Sequence, residues 1–350
     1  MTVQATANRF GCAAYAQAYD VFNGDADGIC ALHQLRMAEP RAAQLVTGTK
    51  REIELLQRVP TVDQIDVTVL DISFDSNLPG LKRILDAGGR VTYFDHHSAS
   101  KLFEHPNLHT YLDDAPQVCT SLLVDQYLGG RYRQWALVAA FGDNLIGRSH
   151  QLARELGLTE SHTNALCEIG FLLNYNAYGE SLADLHMTPE ALYSVVHQFA
   201  EPIDFASAPA YTLLAEHYRQ DAFHMDALMP EWAGKSGVIY ILPCTPWARR
   251  ISGMFANKLI ANDPYKSYGV LTQKIDGNYV VSVRSSKPDE RSASGLCDRF
   301  ASGGGRRSAA GINTLPANDV ERFVASFAAY FDTSAGIDSA AAQQGYVHEQ

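Results

Sequence analysis

The sequence has no run of about 18 uninterrupted apolar residues, so nothing in it is expected to cross a bilayer as a helix. It also lacks a basic stretch followed by an apolar core near Met1, and no secretory signal is expected. CxxC pairs are missing. The six cysteines, Cys12, Cys30, Cys119, Cys167, Cys244 and Cys297, are scattered and read as reduced, mostly buried thiols of a cytoplasmic protein. There is no internal repeat. Positive charge is in deficit: 28 Lys and Arg stand against 39 Asp and Glu, a net of −11, which argues against a protein that coats long nucleic acid. What remains is a 350-residue chain, 46% apolar, with room for two domains of ordinary size.

The charge is unevenly spread. Between Glu231 and Ile312 there are twelve basic and six acidic residues, a net of +6, which leaves −17 for the rest. An acidic part rich in Asp and a basic part rich in Arg suit a first region that holds cations and a second that holds a phosphate-bearing substrate.

Taken in order, the chain alternates strand and helix. Tyr19-Asp20-Val21-Phe22 reads as a strand, followed by a Gly- and Asp-rich loop and a helix from Ile29 to Met37. Strands are expected at Ala42 to Thr47, Gln64 to Leu70 and Arg90 to Phe94, with helices at Arg51 to Arg58 and Leu78 to Ala87 between them. This alternation predicts a mainly parallel sheet with helices on both faces. Helices are then expected from Cys119 to Phe199 as a cap. A boundary falls at Glu201 to Pro209, and Tyr211 to Leu228 reads as a connecting helix. Beyond Trp232, strands at Gly237 to Leu242, Tyr268 to Gln273 and Tyr279 to Arg284 combine with helices at Trp247 to Ala261, Ser292 to Phe300 and Asn318 to Phe331 into a smaller α/β domain. Arg249 and Arg250 read as solvent-facing at a helix start. The expected division is 1–200 for the first domain, 201–230 for linker and connecting helix, 231–332 for the second domain and 333–350 for a disordered tail.

The chemistry gathers at the ends of these strands. Tyr93-Phe94-Asp95-His96-His97 is a buried strand that stops in one carboxylate and two imidazoles. Polar groups at the carboxyl ends of strands in an α/β sheet lie where such sheets bind ligands. Carboxylate with imidazole suits Mn²⁺, Zn²⁺ or Fe²⁺ better than Ca²⁺. Adjacent histidines cannot both reach one ion without strain, so one is expected as ligand and the other toward substrate. Asp25 and Asp27, Asp71, and Asp143 also follow strand or helix ends. Each alone reads as a cap or turn residue. Together they would repel unless a cation neutralised them. Two divalent ions sharing a carboxylate resolve this, and such a pair activates water for attack on phosphorus.

At these residues the sequence resembles the DHH phosphoesterase superfamily. Asn23-Gly24-Asp25-Ala26-Asp27-Gly28 is similar to its first motif, Asp71 to the second, Asp95-His96-His97 to the third and Gly142-Asp143 to the fourth. The later loop Gly303-Gly304-Gly305-Arg306-Arg307-Ser308-Ala309-Ala310-Gly311 resembles the glycine-rich motif of the C-terminal substrate domain of one subfamily. The resemblance spans about 19 to 331. It implies two Mn²⁺ ions bridged by Asp71, the first held by Asp25 and the second by Asp27, His96 and Asp143. His97 would face the scissile phosphate and Asp95 would orient an imidazole. Asn23 stands where an acid or a nearby His often completes the first metal site, so a weaker first site is expected.

On the substrate side, Gly304 and Gly305 would let backbone approach a phosphate or base. Arg284, Ser286 and Arg306 would contact the substrate, Arg being suited to a two-point grip on phosphate. The family usually has His at the position of Arg306; the Arg would strengthen attraction to a 5′-phosphate. The resemblance implies a phosphodiesterase acting on short 5′-phosphorylated linear dinucleotides such as pGpG, as a monomer or homodimer. Single-strand exonuclease or oligoribonuclease, cyclic-dinucleotide phosphodiesterase and 3′-phosphoadenosine phosphate phosphatase remain as alternatives that would use the same site. A nucleotide sensor without catalysis is the alternative of another class.

Overall fold

The computed structural model describes residues 17–332. The expected lead-in before residue 17, Cys12, and the tail 333–350 lie outside the described residues. Packing divides the chain into two compact units between Arg219 and Gln220.

The first unit is built on a five-stranded sheet. Its strands are β1 (Gln17–Asn23), β2 (Gln44–Gly48), β3 (Ile65–Leu70), β4 (Arg90–Asp95) and β5 (Leu108–Leu112), in the order β2-β1-β3-β4-β5. All four pairings are parallel. Alternate side chains feed two cores. Val21, Val69 and Tyr93 face one side, against Phe74, Leu81 and Ile84. Phe22, Leu70 and Phe94 face the other, against Ile29, Trp135 and Phe141. Burial on both faces is why these strands read as near-continuous apolar runs. The chain leaves β1 toward β2 on one side and returns to β3 on the other. The carboxyl edge between β1 and β3 is therefore the switch point of the sheet, where α/β proteins open a crevice.

Nine helices of this unit are described: α1 (Ala26–Ala38), α2 (Phe74–Asp86), α3 (Thr120–Tyr127), α4 (Arg133–Gly142), α5 (Ile146–Glu155), α6 (Glu160–Tyr175), α7 (Pro189–Val196), α8 (Pro202–Phe205) and α9 (Pro209–Asp226), the last crossing into the second unit. The expected helix at Arg51 to Arg58 is only a 3-10 turn, Leu55–Arg58. Helix α2 starts at Phe74 rather than Leu78, because Ser73 caps it and Pro79 is absorbed inside it. α4 packs tightly on α1: a Cβ on Gly142 would collide with the Ala26 Cβ and lie 2.8 Å from the Gly170 carbonyl oxygen. Only glycine lets the end of α4 come this close to the start of α1.

The second unit is a mixed six-stranded sheet of β6 (Trp232–Ala233), β7 (Gly237–Leu242), β8 (Ser267–Gln273), β9 (Tyr279–Arg284), β10 (Gly303–Gly305) and β11 (Ala309–Leu315), ordered β10-β11-β9-β8-β7-β6. Only β7 and β8 run parallel among these pairs, joined by α10 (Pro246–Asn262). α11 (Ala293–Cys297) and α12 (Val320–Phe331) cover one face, where Phe323, Phe327 and Phe331 form an i, i+4, i+8 stripe over Ile239, Leu271 and Val281. The structure corrects two expectations in this unit. The glycine-rich stretch is a hairpin, with Gly304 opposite Gly311 and Gly305 opposite Ala310, rather than an open loop. Arg250 is buried, and its guanidinium donates to both Asp221 carboxylate oxygens at 2.7 and 3.1 Å.

Candidate metal centre

Parallel strands end at one edge of the first sheet and deliver polar side chains there. Phe22 pairs with Leu70 and Leu70 with Phe94, so Asn23, Asp71 and Asp95 follow in one tier. Asp25 caps α1, as its type predicts: its Oδ1 accepts from the N–H groups of Asp27 and Gly28 at 3.0 and 3.1 Å. Its Oδ2 is left to face the site. Asp71 adopts a left-handed conformation, φ +60°, and its N–H donates to the Phe94 carbonyl at 3.0 Å. Asp143 ends α4, delivered by the Gly142 contact.

His96 organises this edge. Its Nδ1 lies 3.0 Å from the Val118 carbonyl oxygen, which can only accept, so Nδ1 carries the proton. Nε2, the other ring nitrogen, lies near Asp71 Oδ1 (3.4 Å), Asp27 Oδ2 (3.9 Å) and Asp143 Oδ2 (3.9 Å). Asp27 is held in place by the N–H groups of Thr120 and Ser121, each at 2.7 Å. The Thr120 hydroxyl donates to Asp71 Oδ1 at 3.2 Å. His97 takes a different path: its Nδ1–H donates to Asp95 Oδ1 at 2.6 Å, while Asp95 is fully buried and its Oδ2 has no partner.

The charges follow from this crowding. Burial, then the carboxylates of Asp25 and Asp27, push Asp71 well above the usual carboxylate range. Burial likewise raises Asp143. For Asp25 burial works upward too, but the charge and hydrogen bond of Lys50 hold it below the usual range. Burial pulls His97 down, yet the hydrogen bond and charge of Asp95 raise it overall.

The donor set fits a divalent ion of the Mn²⁺ or Zn²⁺ type. Ligand atoms of Asp71, His96 and His97 lie within 4.8 Å of one another. A lone pair on imidazole nitrogen facing three carboxylate oxygens is repulsive unless a cation or proton lies between them. Asp27, Asp71 and Asp143 each place an oxygen within 3.9 Å of His96 Nε2, but the tightest trio is Asp71, His96 and His97, so both adjacent histidines stand at one position where only one was expected as ligand. Asp25 and Asn23 lie to one side. Asp25 meets Lys50, and Asn23 reaches only the Lys50 carbonyl oxygen with Nδ2 at 3.5 Å, its Oδ1 having no partner.

Sequence reasoning missed Lys50, Thr120 and Asn174. Lys50 Nζ is 2.5 Å from Asp25 Oδ2, 3.2 Å from Asn174 Oδ1 and 3.8 Å from Asp143 Oδ1. These acids hold the ammonium well above the usual lysine range, against the pull of burial. Lys50 lies two residues past the end of β2, near the same sheet edge that Asp71 reaches directly after β3.

The expected substrate residues gather within the second unit. Arg284 pairs across the ladder with Ala309, and Gly305 with Ala310. The Arg284 guanidinium donates to Asn257 Oδ1 at 2.8 Å, and the Ser286 N–H to Ser267 Oγ at 3.1 Å. Arg306 is exposed, with its N–H on the Ala309 carbonyl at 2.8 Å. Gly305 has φ +134°, and a Cβ there would meet the Ala310 Cα at 2.6 Å.

A parallel sheet of this order with acids and imidazoles at its switch point defines an α/β fold with a candidate metal centre at its strand ends. No protein-family model and no curated protein matches the sequence. Solved structures do match. A pGpG-specific phosphodiesterase, PggH from Vibrio cholerae, aligns at 16% identity and TM-score 0.55 over 89% of this chain and 97% of its own. RecJ from Thermus thermophilus, in complex with Mn²⁺, aligns at 16% identity and TM-score 0.54 over 90% of this chain and 52% of its own; this chain spans about half its length. A manganese-bound exonuclease RecJ aligns at 16% identity and TM-score 0.51 over 90% of this chain and 89% of its own. The chain has the fold of these proteins, the fold its motifs imply for the DHH phosphoesterase superfamily.

Proposed function

We propose that the protein is a metal-dependent phosphodiesterase that hydrolyses short 5′-phosphorylated linear dinucleotides to mononucleotides. One observation carries the reading: the Nε2 of His96 faces oxygens of Asp27, Asp71 and Asp143, a set that suits a divalent cation. When bound there, the ion supplies Lewis-acid charge at a phosphoryl oxygen.

The chain's own residues supply the rest. Thr120 and Ser121 fix Asp27, and Val118 fixes the His96 tautomer, so the acceptors are preorganised. Asp95 holds His97 by Nδ1, which leaves Nε2 as the free ring atom. The hydrogen bond and charge of Asp95 raise the pKa of that ring, the direction a proton donor needs. In hydrolysis of pNpN, a water oxygen bonds to the bridging phosphorus and the bond from phosphorus to the 3′ oxygen breaks. His97 Nε2–H gives its proton to that departing oxygen. The products are two 5′-mononucleotides.

The substrate class rests on further support. Residues 231–312 carry a net +6, and Arg306 lies exposed beside a glycine hairpin. Gly303 and Gly305 are demanded by their surroundings, whereas a Cβ on Gly304 would meet nothing within 4 Å. Glycine at 304 then serves approach of something outside the hairpin. The PggH match runs along nearly all of both chains.

The test is product analysis with Mn²⁺ on 5′-phosphorylated oligoribonucleotides from two residues upward, with cyclic di-GMP alongside. Cleavage confined to the dinucleotide is expected. Cleavage at all lengths would establish the exonuclease alternative, and no cleavage of any substrate would favour the sensor.

A further inference from the structure

The two halves of the acidic cluster differ. Around His96 Nε2, oxygens of Asp27, Asp71 and Asp143 converge, and among the described residues no lysine or arginine bridges these three oxygens. Around Asp25, a cation is already built in. The Lys50 ammonium has donors spent on Asp25 Oδ2 at 2.5 Å and Asn174 Oδ1 at 3.2 Å, with Asp143 Oδ1 at 3.8 Å and the Tyr178 ring centroid at 5.6 Å. The Lys50 backbone is anchored as well, its N–H donating to the Ala177 carbonyl at 2.9 Å. Asp25 Oδ1 is occupied by two backbone N–H groups, so Oδ2 is the oxygen it has to offer an ion. Lys50 sits on it. Asn23, in the position where the resemblance expects an acid, contributes a neutral amide. A divalent ion on Asp25 would share one oxygen with an ammonium and face it at contact distance.

We propose that the ammonium of Lys50 takes the place of the first metal ion, so that the centre works with one divalent cation, held by Asp27, Asp71, His96 and Asp143. Lys50 is then a fixed positive charge on the Asp25 side of the phosphate. This rests on the reading of the His96 cluster as a metal centre. It also accounts for two residues together. Asn23 is tolerated because a lysine needs no third anionic ligand, and Asn174 is recruited because an ammonium has three hydrogen bonds to place.

The experiment is metal stoichiometry on the whole chain, by equilibrium dialysis against Mn²⁺ with elemental analysis, and by electron paramagnetic resonance of the loaded protein. One Mn²⁺ per chain with a six-line mononuclear spectrum is expected. Two ions with an exchange-coupled spectrum would overturn the proposal and leave the metal-centre reading standing. No bound ion would overturn both. The double variant Asn23→Asp with Lys50→Ala is expected to take up a second ion and give the coupled spectrum. If it stays at one ion while its circular dichroism matches the wild type, Lys50 is not what fills the first position. Should that variant fail to fold, the wild-type stoichiometry decides alone.

Discussion

Replacing Asp71 by Asn should raise the stability of the metal-free protein and abolish its response to Mn²⁺. Asp71 is 2% exposed and lies among Asp25, Asp27 and Asp143, so without a cation its folded-state pKa is raised. A carboxyl with a raised folded pKa binds a proton that the unfolded chain gives up near pH 4. Its stabilisation is therefore full below the unfolded pKa and is lost as pH rises toward the folded value, by about 1.4 kcal/mol per pH unit. Asn has nearly the same shape, tolerates φ +60° and has no charge to lose. A gain of about 1–3 kcal/mol in chelator at pH 7.5 follows, within the usual range for relief of one unpaired buried charge. For a unit of this size each kcal/mol moves the melting temperature by about 2–4 °C. Saturation of the wild type at 100 times Kd adds about 2.7 kcal/mol, or about 5–11 °C, and nothing to the variant. Differential scanning fluorimetry in chelator and in Mn²⁺ reads both effects. A variant that keeps the wild-type Mn²⁺ shift would show that Asp71 is no ligand. A variant that melts lower than wild type in chelator would show that the carboxylates do not crowd it.

Other outcomes can be checked in parallel. His33, fully buried on α1 with its Nδ1 3.0 Å from that of His197, has its pKa pushed down to about 3 by burial, then by His197. The folded state refuses a proton the unfolded chain accepts, so stability falls as pH drops below about 6.5, by about 2 kcal/mol at pH 5; urea titrations of His33→Gln at pH 7 and 5 should show a smaller drop. Asp95→Asn should lower kcat about 10–100-fold with folding retained, because it loosens His97; unchanged turnover would remove Asp95 from the positioning of that ring. Arg306→Ala should raise KM for 5′-phosphorylated dinucleotides about 10-fold or more, the worth of one charge-assisted hydrogen bond, and equal effects on unphosphorylated substrates would mean Arg306 does not read the terminal phosphate. Gly142→Ala should destabilise by about 1–3 kcal/mol through overpacking against Ala26, measurable by denaturant midpoint.

How much was legible depended on what each residue answers to. Asp71, Asp95 and His96 stand out because they interrupt apolar strands, and the parallel order brings their ends together. Lys50 did not stand out because a lone lysine after a strand carries no metal-ligand signal, and its role depends on Asp25 and Asn174, which only the fold brings near. Strand β10 was hidden because Gly303-Gly304-Gly305 has no side chains to alternate; ladder pairing defines it. Arg250 read as surface because its partner Asp221 is 29 residues away. The start of α2 was obscured by Pro79, which the Ser73 cap overrides.

The left-handed backbone at Asp71 also bears on how this gene product can fail. Few residue types settle at that φ, chiefly Asp, Asn and Gly. Asn and Gly are each one base change from Asp. Of the residues one base from Asp, these two keep that backbone at ease, whereas Val, Ala, Tyr and Glu would strain it. Loss of the Asp71 carboxylate and loss of the turn are thus separable at this one position.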